Sequence, residues 1–213
     1  MTVVLLVDQA VKIWVKTHMV YASEFPLLGL DWAFFRFIEN PGMAFGIEFG
    51  GAYGKLALSL FRVIAVGFLG YLIHQLIRAR ASHGLLACFA LILAGAVGNI
   101  VDSAFYGVIF SDSGYHETAT LFPPEGGYAG FMYGHVVDML YFPLFEGVFP
   151  EWLPVWGGEP YLFFRPVFNV ADAAISVGVF CLLVFYRDFF RQDVEAVTPA
   201  ESAKVDMAKA GAL

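Results

Sequence analysis

Asp172 is the single formal charge in the apolar stretch from Phe168 to Tyr186, and a second isolated carboxylate, Asp138, sits in Val136-Val137-Asp138-Met139. An ionisable group inside a run long enough to cross a bilayer is costly and is read as functional by default. Two carboxylates brought within a few ångström cannot both ionise easily, so such a pair holds one proton over a range of pH. One member then takes a proton from water while the other protonates a carbonyl oxygen or a leaving group, which is hydrolysis without a nucleophilic side chain. For Asp138 alone, solvation in a loop is the plainer account, and for Asp172 alone, a buried polar contact with Asn169 or a lysine is the competing one. Their combination favours chemistry.

Further polar residues fall at helical spacing around them. Asn99 precedes Asp102 by three residues and Asn169 precedes Asp172 by three, so each amide shares a helix face with its carboxylate and can satisfy one of its lone pairs. Gly95 and Gly98 allow a neighbouring helix to approach closely. Asp8 and Lys12 form an i,i+4 pair, read as a partly buried ion pair that lowers the cost of insertion. Arg62 is expected to snorkel from the outer end of its helix. His135 precedes Asp138 by three, but no serine or cysteine in a recognisable elbow accompanies it, so a His-Asp pair is disfavoured.

The elements that must position these groups are membrane spans. The chain has 213 residues, 59% hydrophobic and 15% charged, against about 25% charged in ordinary soluble domains. Four spans are predicted at 2–20, 56–77, 84–105 and 168–187, each near the ~20 residues needed to cross the hydrocarbon core. Arg78 and Arg80 lie in the short second connection, and Arg187, Arg191, Lys204 and Lys209 follow the last span, which predicts both termini on the cytoplasmic side. Only seven residues precede Asp8, so the first span is expected to be under length at its inner end.

The segments 21–55 and 106–167 then face outward. Residues 31–49 predict short strands or a hairpin with a turn at Asn40-Pro41-Gly42, and 141–168 is dense enough in aromatics for an interfacial belt. The fold class expected is a membrane all-α protein with a small β-containing periplasmic cap. One domain over 1–191 and a disordered cytoplasmic tail over 192–213 are expected.

Other classes are disfavoured. A net charge of −7 with no basic stripe argues against nucleic acid. Cys88 and Cys181 lie in apolar runs, and His18, His74, His83, His116 and His135 show no ligand spacing, so neither a metal nor another cofactor is expected. A proton-coupled carrier would spread titratable groups over several depths and often show repeated halves. Here the charges gather at one level without a repeat.

Five blocks in order, Asp8-Gln9-x-x-Lys12, Asn40-x-Gly42-x-Ala44-Phe45, Gly98-Asn99-x-x-Asp102, Val136-Val137-Asp138 and Phe168-Asn169-x-Ala171-Asp172, resemble the lipoprotein signal peptidases, bacterial signal peptidase II. The resemblance covers about residues 5 to 180. It implies an intramembrane aspartic peptidase of the bacterial inner membrane, with its site on the periplasmic side, that removes the signal peptide of a prolipoprotein before its diacylglyceryl-modified cysteine. It also implies Asp138 and Asp172 as the catalytic pair, and Asp8, Lys12, Asn40, Gly42, Asn99, Asp102 and Asn169 as substrate-binding or supporting residues. The partners expected are the lipid-modified prolipoprotein, membrane phospholipid and globomycin-type inhibitors, with the protein itself monomeric.

Three features depart from the family pattern. Ser103 stands where an arginine usually follows the third-block aspartate, leaving Arg36, Arg62 or Arg165 to supply any guanidinium contact to substrate. Met139 stands where an aromatic usually follows Asp138. The connection from Tyr106 to Gly134 is longer than the family leads one to expect, and is expected to lid the site or contact the substrate.

Overall fold

The computed structural model describes residues 1–41, 51–187 and 189. Gly42 (the last residue of the predicted turn), the remainder of its block and the tail 192–213 lie outside the described residues. Helix α1 is Thr2–His18, with Lys16 and His18 in its last turn complementing the helix dipole. Strands β1 (Glu24–Pro26) and β2 (Phe34–Asn40) follow, then the long helix α2 (Gly51–Arg78). Helix α3 (His83–Val101) starts at Ser82, whose side chain accepts from the Leu85 N–H at 3.3 Å. It runs through a π turn, Asp102–Tyr106, into a single closing turn, α4 (Gly107–Ile109). The remaining elements are β3 (Val136–Tyr141), β4 (Phe145–Val148), β5 (Pro160–Phe163), β6 (Val167–Phe168) and α5 (Val170–Phe185).

Within 31–49, read as short strands or a hairpin, Phe34–Asn40 form the second strand of a four-stranded antiparallel sheet, ordered β1-β2-β3-β6. Its partners come from both sides in sequence: Phe35 faces Phe25 in β1 and Leu140 in β3. β3 also pairs with β6 through Leu140 and Phe168. β4 and β5 form a separate two-stranded hairpin. Helices α2, from Gly54, and α3 with its extension to Ile109 are long and apolar enough to cross a membrane, and Val170–Phe185 is a shorter apolar helix. Leu60, Phe61, Ile64, Phe68 and Tyr71 on α2 are exposed, as suits a hydrocarbon solvent and not water.

Two apolar clusters brace the ends of the bundle. Val15, Met19, Phe37, Tyr106, Phe110, Val137 and Met139 pack under the sheet. Leu76, Leu85, Cys88, Phe89 and Leu182 pack at the opposite end of the helices. Met139 is fully buried in the first cluster, where its thioether fills packing volume under the sheet.

Between the clusters α3 and α5 touch backbone to backbone. A Cβ on Gly95 would lie 2.2 Å from the Ala171 carbonyl oxygen, and one on Gly98 would lie 2.8 Å from Asp8 Oδ2. The expected close approach is therefore real, and it brings the starts of the polar residues on three helices together. Gly95→Ala is expected to lower stability by about 1–3 kcal/mol, the usual range for overpacking. Gly70→Ala, where a Cβ meets nothing within 4 Å, is expected to be neutral or slightly stabilising. Thermal unfolding of both variants in detergent checks the contrast.

Candidate active site

The site is assembled by the capping of one helix. Asn169 is the N-cap of α5: its Oδ1 accepts the Asp172 N–H at 2.8 Å while Asp172 Oδ2 accepts the Asn169 N–H at 3.4 Å. This reciprocal box satisfies two otherwise orphan donors and fixes the Asp172 rotamer. Asn169 Nδ2 then donates to Asp138 Oδ1 on β3 at 2.7 Å and to Asn99 Oδ1 on α3 at 3.1 Å. Asn99 Nδ2 donates to Asp172 Oδ1 at 2.7 Å. Two side-chain amides therefore tie Asp138 and Asp172 into one network.

The two carboxylates sit differently. Asp138 is 5% exposed, whereas Asp172 is half-buried. Burial pushes the Asp138 carboxyl up, the negative charge of Asp172 pushes it further, and it reaches about 7 although the Asn169 amide opposes the rise.

Behind the amides lies a charged brace. Lys12 Nζ donates to Asp102 Oδ2 at 2.7 Å, Asp8 Oδ2 at 2.9 Å and Asn99 Oδ1 at 2.9 Å, matching all three of its protons. Asp8 Oδ1 accepts the Ala171 N–H at 2.8 Å, so α1 also caps α5. Asp102 is fully buried and faces Lys12, not Asp138 or Asp172. Gln9 Nε2 donates to Asp102 Oδ1 at 2.9 Å and to Asp8 Oδ2 at 3.1 Å, and its Oε1 accepts from the Tyr106 hydroxyl at 3.1 Å.

Asp8, Lys12, Asn99, Asp102, Asp138, Asn169 and Asp172 are thus brought together. Asn40 ends β2 opposite Val136, near but not within the bonds named above. Sequence reasoning missed Gln9 as a bridging residue. It also missed a second cluster toward the outer end, in which Lys16 bonds Glu39 and Ser113, and His135 Nδ1 lies 3.2 Å from Glu39 Oε2. The spacing Asp8, Lys12, Lys16 marks one helix face and could have found Lys16; nothing in the sequence singles out Glu39.

Arg62 corrects another expectation. It does not simply snorkel: half-buried on α2, its Nη1 donates to Ser103 Oγ at 3.2 Å. The Ser103 hydroxyl is therefore met by a guanidinium from another helix, and Asp172, Asp102 and Asp138 all attract that charge. The same face of α2 holds the long connection, with Lys55 Nζ donating to the Tyr133 carbonyl at 2.5 Å and Ser59 Oγ to that of Met132 at 3.3 Å. That connection folds back on α3: the N–H groups of Gly134 and Met132 reach the Ser103 and Ala104 carbonyls at 2.9 and 3.3 Å. It braces the π turn carrying Asp102.

With this geometry in place, comparison with known proteins is decisive. A model of the signal peptidase (SPase) II family matches residues 1–187. The chain belongs to the signal peptidase II family. It is 56% identical over 184 residues to the lipoprotein signal peptidase of Porphyromonas gingivalis strain ATCC 33277, covering 85% of this chain and 78% of that protein. It is 37% identical over 199 residues to the lipoprotein signal peptidase of Amoebophilus asiaticus, covering 92% of this chain and 79% of that protein. A solved bacterial membrane enzyme shares the fold, with a TM-score of 0.53 and 19% identity over 88% of this chain and 85% of that one. Membership sets the chain among the membrane peptidases of lipoprotein processing.

Two outcomes follow for this signal peptidase II site. Lys12→Met leaves Asp8 and Asp102 buried without their cation and is expected to cost about 3–5 kcal/mol in thermal or denaturant unfolding. Asp172→Asn removes the charge beside Asp138, so the Asp138 carboxyl should ionise below its present value of about 7. The carboxyl stretch in difference infrared spectra reads this directly. The linkage has a definite sign: between the unfolded value of about 4 and the folded value of about 7, the native state holds a proton that the unfolded chain has lost. The contribution of Asp138 therefore turns against folding as pH rises through that window.

Proposed function

We propose that the chain is an aspartic endopeptidase that cleaves the signal peptide from diacylglyceryl-modified prolipoproteins immediately before the lipidated cysteine. A water held by Asp138 and Asp172 is the nucleophile. The observation that carries this reading is the shared amide network of Asn99 and Asn169, joining a buried carboxyl that keeps its proton to about pH 7 with a more accessible carboxylate partner.

In the attack, the ionised member takes a proton from water as its oxygen adds to the scissile carbonyl, and the protonated member gives its proton to the carbonyl oxygen. Collapse of the tetrahedral intermediate returns a proton to the leaving nitrogen and restores the pair. Either aspartate can begin as base, because a coupled pair titrates as a unit. Asn169 and Asn99 hold the two carboxyl groups, while Asp8, Lys12 and Asp102 hold the asparagines and the start of α5. Asn40 and Gly42 are carried as substrate-binding residues by the resemblance of their sequence block. The fully matched charges of Lys12 leave it a positioning role.

The topology that suits this chemistry has α1, α2, α3 and α5 crossing the cytoplasmic membrane, both termini inside, and the sheet on the periplasmic side over the aspartates. A monomer of one domain suffices. Lipid dependence follows from anchorage: at about 0.8 kcal/mol per buried methylene, diacyl chains stay in the bilayer, and a site at its rim meets only anchored peptides. A cyclic peptide such as globomycin would block the site by occupying the same rim.

Arg62 takes the part of the missing arginine. From its perch against Ser103 it can donate a forked pair of bonds to a backbone carbonyl of the bound peptide, which is a task a lysine fits less well.

Cleavage of a diacylglyceryl prolipoprotein in detergent tests the pair. Asp138→Asn and Asp172→Asn should each lower the rate by at least about a hundredfold while the proteins keep their thermal transition; a wild-type rate in either variant sinks the assignment. Arg62→Ala should raise KM by roughly tenfold or more, the worth of a charged hydrogen bond, with Arg62→Lys recovering only part. An unchanged KM removes Arg62 from the substrate.

A further inference from the structure

Residues 142–166 leave the sheet between β3 and β6 and carry the β4–β5 hairpin, which among the described residues packs substantially on no other element. It is nonetheless well ordered internally. Phe145 and Phe163 stack with centroids 4.5 Å apart, Phe149 lies on Tyr161 at 4.7 Å, and the turn is closed by the Phe149 N–H to the Glu159 carbonyl and the Gly158 N–H to that of Phe149, both at 2.9 Å.

The tip of this stiff hairpin is apolar and bare. Trp152 is 77% exposed, Val155 85% and Trp156 55%, and Phe145, Val148 and Phe163 along the legs are half or more exposed. Val155 has φ +80, a left-handed conformation that a β-branched residue rarely adopts, so the turn holds its side chain outward against local preference. A contiguous apolar surface of this kind is not left in water without a partner.

The base of the hairpin fixes its level. β6 leads through the cap Asn169 directly into the apolar helix α5, and the Phe142 ring lies 5.6 Å from that of Phe168 and 6.2 Å from that of Trp32. The hairpin therefore departs at the height where the apolar run begins, which is where tryptophan and tyrosine favour the boundary between headgroups and acyl chains. Its charges are Glu146, Glu151 and Glu159, with Arg165 at its foot. An anionic surface is disfavoured by these, whereas a zwitterionic one asks nothing of them.

We infer that the β4–β5 hairpin inserts its Trp152, Val155 and Trp156 tip into the headgroup region of a zwitterionic phospholipid leaflet, tethering the loop beside Asp138 and Asp172 to the bilayer surface. The insertion is driven by aromatic and aliphatic burial and is insensitive to salt. It does not depend on the identity of the substrate or on the cleavage chemistry.

A Trp14→Phe, Trp32→Phe variant keeps Trp152 and Trp156 as its tryptophans, and is reconstituted into phosphatidylcholine vesicles. The expected result is blue-shifted emission, stronger quenching by lipid brominated near the headgroup end of its chains than near their ends, and weak quenching by aqueous iodide. Full quenching by iodide with none by either brominated lipid overturns the proposal. So does a blue shift that grows only with protein density in the vesicle, since the occupant is then a second copy. A nitroxide at Val155→Cys, in a Cys88→Ala, Cys181→Ala background that retains all the tryptophans, gives an independent reading. Greater access to oxygen than to a nickel chelate supports insertion, and the reverse order refutes it. Neither readout uses peptidase activity, so either can fail without touching the dyad assignment.

Discussion

A single ammonium group, that of Lys12, has no exposed surface and three acceptors, and the rest of the site is arranged around it. A lysine removed from water is tolerable only if its charge is opposed and each proton is bonded. Asp8 and Asp102 supply more negative charge than one cation offsets, and the remainder is spread over donors: the Ala171 and Val137 N–H groups and the Gln9 amide. Each of those donors belongs to a different part of the chain. The need to satisfy two buried carboxylates therefore dictates where the start of α5, the start of β3 and the end of α3 must lie.

Asparagine does what charge cannot. An amide gives and accepts at once, so Asn99 accepts from Lys12 on one side and donates to Asp172 on the other, carrying orientation from the brace to the Asp138 and Asp172 pair without adding charge. Asn169 does the same between Asp172 and Asp138 while also capping α5. A lysine in direct contact with Asp138 would stabilise its anion and pull its protonation down. With an amide there instead, burial and the Asp172 charge prevail and the proton stays to about pH 7. The pair's proton, on the proposed reading, follows from keeping the lysine one residue away.

Much of this was legible because membrane burial leaves few polar residues to choose among. Asp8, Lys12, Asn99, Asp102, Asn169 and Asp172 stand out in apolar runs, and their helical spacings put each amide on the face of its carboxylate. What the spacings could not supply was direction. Asp102 turns to Lys12 on α1, and Asp138 arrives from a strand whose partner β2 lies about a hundred residues earlier, a pairing that no local pattern encodes. The π turn at Asp102–Tyr106 was likewise hidden, since its wide carbonyls are bonded by Gly134 and Met132 from a connection with no regular pattern. Arg62 was visible as a charge in a span, but its partner Ser103 is set by the packing of α2 on α3.

The difference in exposure between Asp138 and Asp172 carries the last step. The strand that delivers Asp138 also buries Val137 and Met139 in the core under the sheet, so Asp138 is held from both sides and has little freedom to meet water. Asp172 sits on the first turn of α5, half-buried, its Oδ2 accepting the Asn169 N–H and its Oδ1 the Asn99 amide. Burial and the neighbouring Asp172 charge thus favour the neutral form of Asp138, while Asp172 keeps more open surface. A strand and a helix terminus meeting at a point give two chemically identical side chains different exposure, and on the proposed reading that difference lets the pair serve one bond from two environments.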